Sequence, residues 1–418
     1  MELIRKVVGG DLRQFGMIFA LAVILVFFQF RTGGLMLTPD NLISVVSQYS
    51  YILILAIGMV MVIIAGHIDL SVGSVAAFVG IIVAKLMQNG TPSWVAFLIG
   101  LLIGAAVGAW QGYWVAYWGV PAFIVTLAGM MIFRGANQWV GNSQSVPVPE
   151  DFQYIGAGFL PELHTGLPYN EPTLIIGLLA TAYVVWHELH DRRIRVKMKA
   201  TVVPMIVTML RIVLLSAVLV SATLLFASGR PGTSFPVSGL VLVALVLLYS
   251  FVTGRTVFGR HVYAVGGNLR AATLAGVKTQ RTNFFVMMNM SVLAALAGMI
   301  FVARSTASGP QDGNSWELDA IAAVFIGGAA VTGGVGTVIG SIVGGLVMAF
   351  LNTGLALEGI GSDRVQIIKG LVLLFAVAID VWNKKQGKPS IIGHFLKSRN
   401  DNGVPRVSPT TGADATQP

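Results

Sequence analysis

A carboxylate set between two membrane-grade apolar runs is the first place to look for chemistry in this chain. Asp69 lies in Gly66-His67-Ile68-Asp69-Leu70-Ser71-Val72-Gly73-Ser74, with an apolar run over 42–65 before it and another reaching about Met87 after it. An acid there is costly unless it is paired, hydrated or at a helix end. With Ser71 it could cap the helix that follows, taking up free backbone N–H groups. It could equally mark a break in a spanning helix and line a polar cavity, where irregular backbone is tolerated. His67 beside it could be a ligand or a proton carrier, although a lone histidine is more often a satisfied structural residue.

A second stretch, 255–281, could do its work by contact rather than by reaction. It separates two strongly apolar segments and carries Arg255, Arg260, Arg270, Lys278 and Arg281 without one Asp or Glu. A Gly266-Gly267-Asn268 turn leads into Ala271, Ala272, Thr273, Leu274, Ala275 and Gly276. Asn268 can cap a helix by accepting a backbone N–H, and Gly276 can end it. The spacing predicts a short helix on a basic loop at a membrane surface. Such a helix is either a solvated connector or a docking element for another protein.

Other chemistry is missing. The chain holds no cysteine, so disulfides, thiolate metal sites and Cys nucleophiles are excluded. There is no G-x-x-x-x-G-K-[ST], no H-E-x-x-H and no G-x-S-x-G. Neither a metal nor a cofactor is expected. An enzyme acting on lipid-linked sugars would want several acids or histidines at one membrane face. The cluster of that kind, Glu150, Asp151, Glu162 and Glu171, reads as a solvated outer loop.

The elements that must position these residues follow from composition. Of 418 residues, 55% are hydrophobic and 11% charged, against about 25% charged in soluble domains. Apolar runs recur at roughly 20 residues, the length that crosses a bilayer. The expected fold is an all-α polytopic transmembrane bundle, and its 49 glycines suit close helix packing. The net charge of +9 sits in loops beside apolar segments, which points to the positive-inside rule and not to nucleic acid.

The first apolar run, 15–30, is followed by Arg31 and Pro39 instead of a small-residue cleavage pattern, so it reads as a retained helix with a cytoplasmic N-terminus. Further spans are expected at 42–65, on to 87, then 94–118, 121–140, 173–186, 202–227, 237–252, 283–303 and 365–382. The 320–350 region is interrupted by glycines and reads as two short spans or one broken one. Within it Gly336, Gly340 and Gly344 form a close-packing face. The acidic loop 141–172 suits the outside and the basic stretch 187–199 the inside. Parity then asks for about ten spans, or up to twelve, with both termini cytoplasmic. Residues 1–382 form one membrane domain, and 383–418 a cytoplasmic tail expected to be disordered beyond about residue 400. The halves echo each other weakly: residues 66–73 and 327–340 are glycine-interrupted, with Asp69 and Asp319 nearby. Intramembrane charges are few, with Asp69 and Arg134 foremost, so the relay of an ion-coupled carrier is hard to assemble. An energy source on another chain, docked at 255–281, fits better, with an ion-coupled secondary carrier using Asp69 as the alternative.

Four segments, in order and spacing, resemble the membrane permease subunit of ABC importers for monosaccharides of the ribose, xylose and arabinose type, which is similar to the branched-chain amino-acid permeases. They are the Gly66 to Ser74 segment and Pro121-Ala122-Phe123-Ile124-Val125-Thr126-Leu127-Ala128-Gly129. The third is Gly259-Arg260-His261-Val262-Tyr263-Ala264-Val265-Gly266-Gly267-Asn268, with the Ala271 to Gly276 run. The fourth is Glu317-Leu318-Asp319-Ala320-Ile321-Ala322-Ala323, with the glycines up to Gly345. His67, the acidic outer loop and the insert near 187–199 look most like the xylose or multiple-monosaccharide branch. The resemblance implies a multi-pass protein of the bacterial inner membrane. It implies a second permease copy in a homodimer, ABC ATPase subunits, a periplasmic sugar-binding protein and a monosaccharide substrate. It assigns 268–276 as the coupling helix, with Gly267, Asn268, Ala271, Ala272, Leu274, Ala275 and Gly276 at the ATPase. His67, Asp69, Ser71, Phe123, Thr126, Gly333 and Gly334 are the expected pathway residues. The binding protein supplies affinity, which accounts for the sparse polar groups.

Overall fold

The computed structural model describes residues 12–164, 169–198, 204–230 and 232–385. Its secondary structure is helical apart from one pair of two-residue strands. Seven helices among the described residues are long and apolar enough to cross a membrane. The expected polytopic helical architecture is therefore the one observed.

Helix α1 (Leu12–Arg31) leads through a single 3-10 turn to α2 (Pro39–Ile64). Pro39 can start α2 because the first helical position has no N–H to satisfy. The helix stops inside an apolar run because Gly66 turns left-handed, at φ 85°. Gly66 N–H then reaches Ile63 C=O and His67 N–H reaches Val62 C=O, each at 3.0 Å, closing the helix end. Every residue of α2 from Ile52 to Ile64 is buried. A helix that is apolar all round and covered all round is the axis of its bundle.

Helices α3 (Val72–Gln88), α4 (Ser93–Ala116) and α5 (Ala122–Val140) wrap this axis, followed by β1 (Val146–Pro147) and α6 (Glu150–Ala157). Next comes a hairpin of α7 (Glu171–Lys197) and α8 (Met205–Ala227), which reaches the core where α8 meets α2. Then follow α9 (Val237–Arg255), α10 (Val257–Gly267) and the short α11 (Leu269–Leu274). The chain closes with α12 (Thr279–Ser305), β2 (Ala307–Ser308), α13 (Trp316–Ile326), α14 (Val338–Leu357) and α15 (Ser362–Lys385).

Helix α12 is the second axis, packed on α2, α3 and α4. Its seam with α4 has little room for side chains. Gly104, Gly108 and Gly112 present their backbone to it at four-residue spacing. A Cβ added at Gly104 would lie 2.5 Å from Ala295 Cβ, and one at Gly108 would lie 2.6 Å from Met288 Cα. Small residues let the backbones approach, and dispersion contacts do the rest. The contact with α3 is as close, with Gly298 against the Ala76 carbonyl and Gly80 against Val302. These pairs rise together, so α3 runs parallel to α12 and begins beside its middle. At 17 residues α3 is about 25 Å long, short of a bilayer core of roughly 30 Å.

Several expectations are refined. The 320–350 region holds two helices, α13 and α14, separated by the loop 327–337. The basic stretch after 187 is not a loop at its start, because α7 continues to Lys197. The 255–281 loop contains α10 as well as the short helix that was expected. Helix α15 passes residue 382 and continues to Lys385, and the rest of the 383–418 tail lies outside the described residues.

The α4–α12 seam yields a stability test. Gly108→Leu must force backbone apart at Met288, whereas Gly135→Ala adds a methyl where nothing lies within 4 Å. Overpacking of this kind costs about 1–3 kcal/mol. The thermal midpoint of the detergent-solubilised protein should fall for Gly108→Leu and stay put for Gly135→Ala.

Candidate functional site

The interrupted segment after α2 is held by one buried polar chain. Asp69 is wholly buried. Its Oδ1 accepts from the Ser71 N–H at 2.8 Å and from the Ser71 hydroxyl at 2.7 Å. That is a tight two-residue turn, and Ser71 itself is the N-cap of α3 with no side-chain capping bond. Ser71 Oγ in turn accepts from Gln111 Nε2 of α4 at 2.8 Å. Ser291 of α12 donates to Gln111 Oε1 at 3.4 Å. One hydroxyl thus donates once and accepts once, within its capacity. Gly129 of α5 makes room for the amide, since a Cβ there would fall 2.5 Å from Gln111 Nε2. Thr126, also buried, spends its hydroxyl on the Ala122 carbonyl of its own helix at 2.9 Å, with Ile68 O at 3.4 Å.

A second interruption meets the first. After β2 the chain folds back so that Gly313, at φ 76°, packs on the Gly73 carbonyl, and α13 starts beside the first turn of α3. Glu317 in the first turn of α13 is buried, and a Cβ on Gly73 would stand 2.8 Å from its Oε2. Arg134 of α5 lies within electrostatic reach of Glu317. Asp69 and Glu317 both sit at helix N-termini, where partial positive charge favours a carboxylate. Asp319, two residues on in the same turn, pairs with Lys369 of α15 at 2.5 Å, with both side chains largely covered. Lys369 escaped the sequence reading, which named Asp69 and Arg134 as the main intramembrane charges.

The remaining expected pathway residues separate into two places. His67 and Phe123 line a cavity of about 470 Å³ with Asn283, Thr279 and Leu269. Gly333 and Gly334 do not line it, and pack instead on the glycines at 66 and 266–267. At the opposite end a second cavity, of about 570 Å³, is lined by Asn41, Ser44, Ser47, Gln48 and Arg304.

The short basic-loop helix has the caps its residues predict. Asn268 Oδ1 accepts from the Ala271 N–H at 3.0 Å. Gly276, at φ 82°, closes the other end, with its own N–H on Thr273 C=O and that of Val277 on Ala272 C=O, each 3.0 Å. Leu274 is 90% exposed, and Gly267, Asn268, Ala271 and Ala275 are exposed with it. Ala272 is different: at 5% exposure it faces the protein's own interior, so it anchors α11 and is not part of the free face. Leu269, half-exposed, was missed; its place between the cavity wall and the free surface comes from folding, not from local sequence.

Interrupted helices around a polar core, with a capped apolar-tipped helix at one end, describe a membrane transport subunit built to be worked from outside its own chain. Comparison with known proteins agrees. The family model described as branched-chain amino acid transport system / permease component matches residues 41–377. The xylose transport system permease protein XylH of Haemophilus influenzae is 38% identical over 383 residues, covering 91% of this chain and 99% of that one. The protein of the same name in Escherichia coli K12 is 38% identical over 380 residues, 90% of this chain and 93% of its own. The ribose import permease protein RbsC of Escherichia coli K12 is 33% identical over 351 residues, 84% and 87% of the two chains. No solved structure matches. The chain belongs to the permease-component family, as the sequence motifs implied; it is a membrane-embedded transport pathway subunit and not an enzyme.

The buried polar chain gives a direct test. Gln111→Leu leaves the Ser291 hydroxyl without its side-chain partner and takes the donor from Ser71 Oγ, and a buried unsatisfied group costs about 1–3 kcal/mol. We expect a lower thermal midpoint for Gln111→Leu than for a volume-conserving apolar exchange at an equally buried position, such as Met287→Leu. Equal midpoints would mean that the network does not hold the break.

Proposed function

We propose that this protein forms the membrane pathway of a monosaccharide ABC importer, with a xylose-like pentose as substrate and ATP hydrolysed on a separate subunit. The sugar comes from the relatives, whose names specify xylose and ribose transport. The observation that carries the mechanism is Leu274, a large apolar side chain almost fully exposed on a capped helix inside an acid-free basic loop. An isolated apolar tip on a rigid, charged surface suits insertion into a partner's groove. Helix α11 is then the coupling helix, seated in the ATPase, with Leu274, Ala271 and Ala275 at the contact and Ala272 as its inward anchor.

In this reading two copies of the permease pair in the inner membrane, and a periplasmic sugar-binding protein docks on the outer loops. The cavity near Arg304 is the outer mouth and the one near His67 and Phe123 the inner. ATP-driven closure of the ATPases moves α11 and alternates access between them. Twelve helices, α1 to α5, α7 to α9 and α12 to α15, would then cross, with both termini cytoplasmic. The two halves are an inverted pair. Helix α3 packs on α12 as α13 packs on α2, and α4 packs on α12 as α14 packs on α2. Ile68-Asp69-Leu70 then corresponds to Trp316-Glu317-Leu318, so Glu317 is a better partner for Asp69 than Asp319 is. The ion-coupled carrier is not favoured, because one Asp69 oxygen is already committed twice to Ser71.

Leu274→Asp should leave the amount of permease in the membrane unchanged while co-purification of the ATPase and uptake of labelled D-xylose each fall about tenfold or more. Uptake that resists vanadate but stops with a proton uncoupler would replace this mechanism with the carrier.

A further inference from the structure

Three turns from distant parts of the chain meet at the end of the bundle that carries α11, and they touch through backbone. One is the end of α2 at 64–66, one the end of α10 at 266–267, and one the α13–α14 loop at 333–336. The Ile64 carbonyl is the centre. It accepts the Gly334 N–H at 2.8 Å. Gly266 presses on the same carbonyl: a Cβ there would fall 1.6 Å from the Ile64 oxygen and 2.8 Å from the Gly334 nitrogen. Gly333 and Gly334 turn left-handed at φ 79° and 73°, which brings Gly333 onto Gly66 and Gly334 onto Gly267. Tyr263 of α10 adds one side-chain tie, its hydroxyl donating to the Gly336 carbonyl at 2.7 Å. Asn268, the N-cap of α11, is the residue immediately after Gly267.

We infer that this glycine joint passes the displacement of α11 to both interrupted regions at once, 66–71 beside α3 and 327–337 beside α14. The inference rests on α11 being the docking helix proposed above. Its physical basis is stiffness. Side chains between two elements can change rotamer and absorb a shift of an ångström; backbone packed on backbone at contact distance cannot. Helix movements of about 1–2 Å at interfaces are the usual size of such a signal. A shift of α10 and α11 must therefore push Ile64 and pull Gly334 together, so the two interruptions respond as a pair. Gly266 and Tyr263 are positioning residues here; they touch neither ATPase nor sugar in this scheme.

Two glycines make the test sharp. Around a Cβ on Gly266 there is no space, while around one on Gly254, in α9 and outside the joint, nothing lies within 4 Å. The assay uses the permease reconstituted with its ATPase and sugar-binding protein. It reads ATPase co-purification for docking, and binding-protein-stimulated ATP hydrolysis with D-xylose uptake for transmission. Gly266→Ala should keep the ATPase bound yet lose roughly tenfold in stimulation and uptake. Tyr263→Phe should keep docking and lose about threefold. Gly254→Ala should match wild type in every readout. Wild-type transmission in Gly266→Ala overturns the joint, and so does Gly254→Ala being equally damaged. If Gly266→Ala fails to accumulate, Tyr263→Phe decides: unimpaired transmission overturns the joint. Failure of the wild-type permease to hold any ATPase removes the docking reading first and the joint with it.

Discussion

Backbone that leaves a helix within a bilayer has no water to turn to, and each exposed N–H or C=O must find a partner inside the protein. Three stretches here leave the helices, 66–71, 306–315 and 327–337, and at the first the surrounding architecture answers the break. Asp69 closes the first turn, Gln111 reaches over from α4 to secure Ser71, and Ser291 holds Gln111 from α12. Those reaches require α4, α5 and α12 to come close, and glycines at 104, 108 and 129 permit it. The glycine content read first as composition is thus the geometric condition for a hydrogen-bonded core.

Charges inside the bundle obey the same constraint. Asp319 has Lys369, Glu317 has the first turn of α13 and the field of Arg134, and Asp69 has Ser71. Asp69 Oδ2 and Glu317 Oε2 remain buried without a hydrogen-bond partner. Charge this sparse suits a pathway that is driven by a partner chain.

What was legible in the sequence was what local residues decide. Asn268 and Gly276 specify a helix of one or two turns whatever surrounds them, and both caps stand where they were expected. Gly66 likewise announces the stop of α2. What was not legible depends on partners far along the chain. Gln111 is a single amide in an apolar span, and Lys369 lies in an apolar run. Each gains meaning from residues 40 or more positions away, Ser71 in one case and Asp319 in the other. The inward turn of Ala272 is of the same kind, since an alanine gives no hint of which side of a short helix will be covered. The crossing count stayed open because α13 is too short to look like a span and the glycines of 327–337 part it from α14.

The joint at Ile64, Gly266 and Gly334 is made of main-chain atoms, so nearly all of its specification is prohibition: nothing larger than hydrogen may stand at Gly266. The inner cavity, by contrast, is walled by His67, Phe123 and Asn283, side chains that can be exchanged one at a time. The two places therefore answer to substitution differently: the joint tolerates almost none, while the cavity wall can be reshaped one side chain at a time.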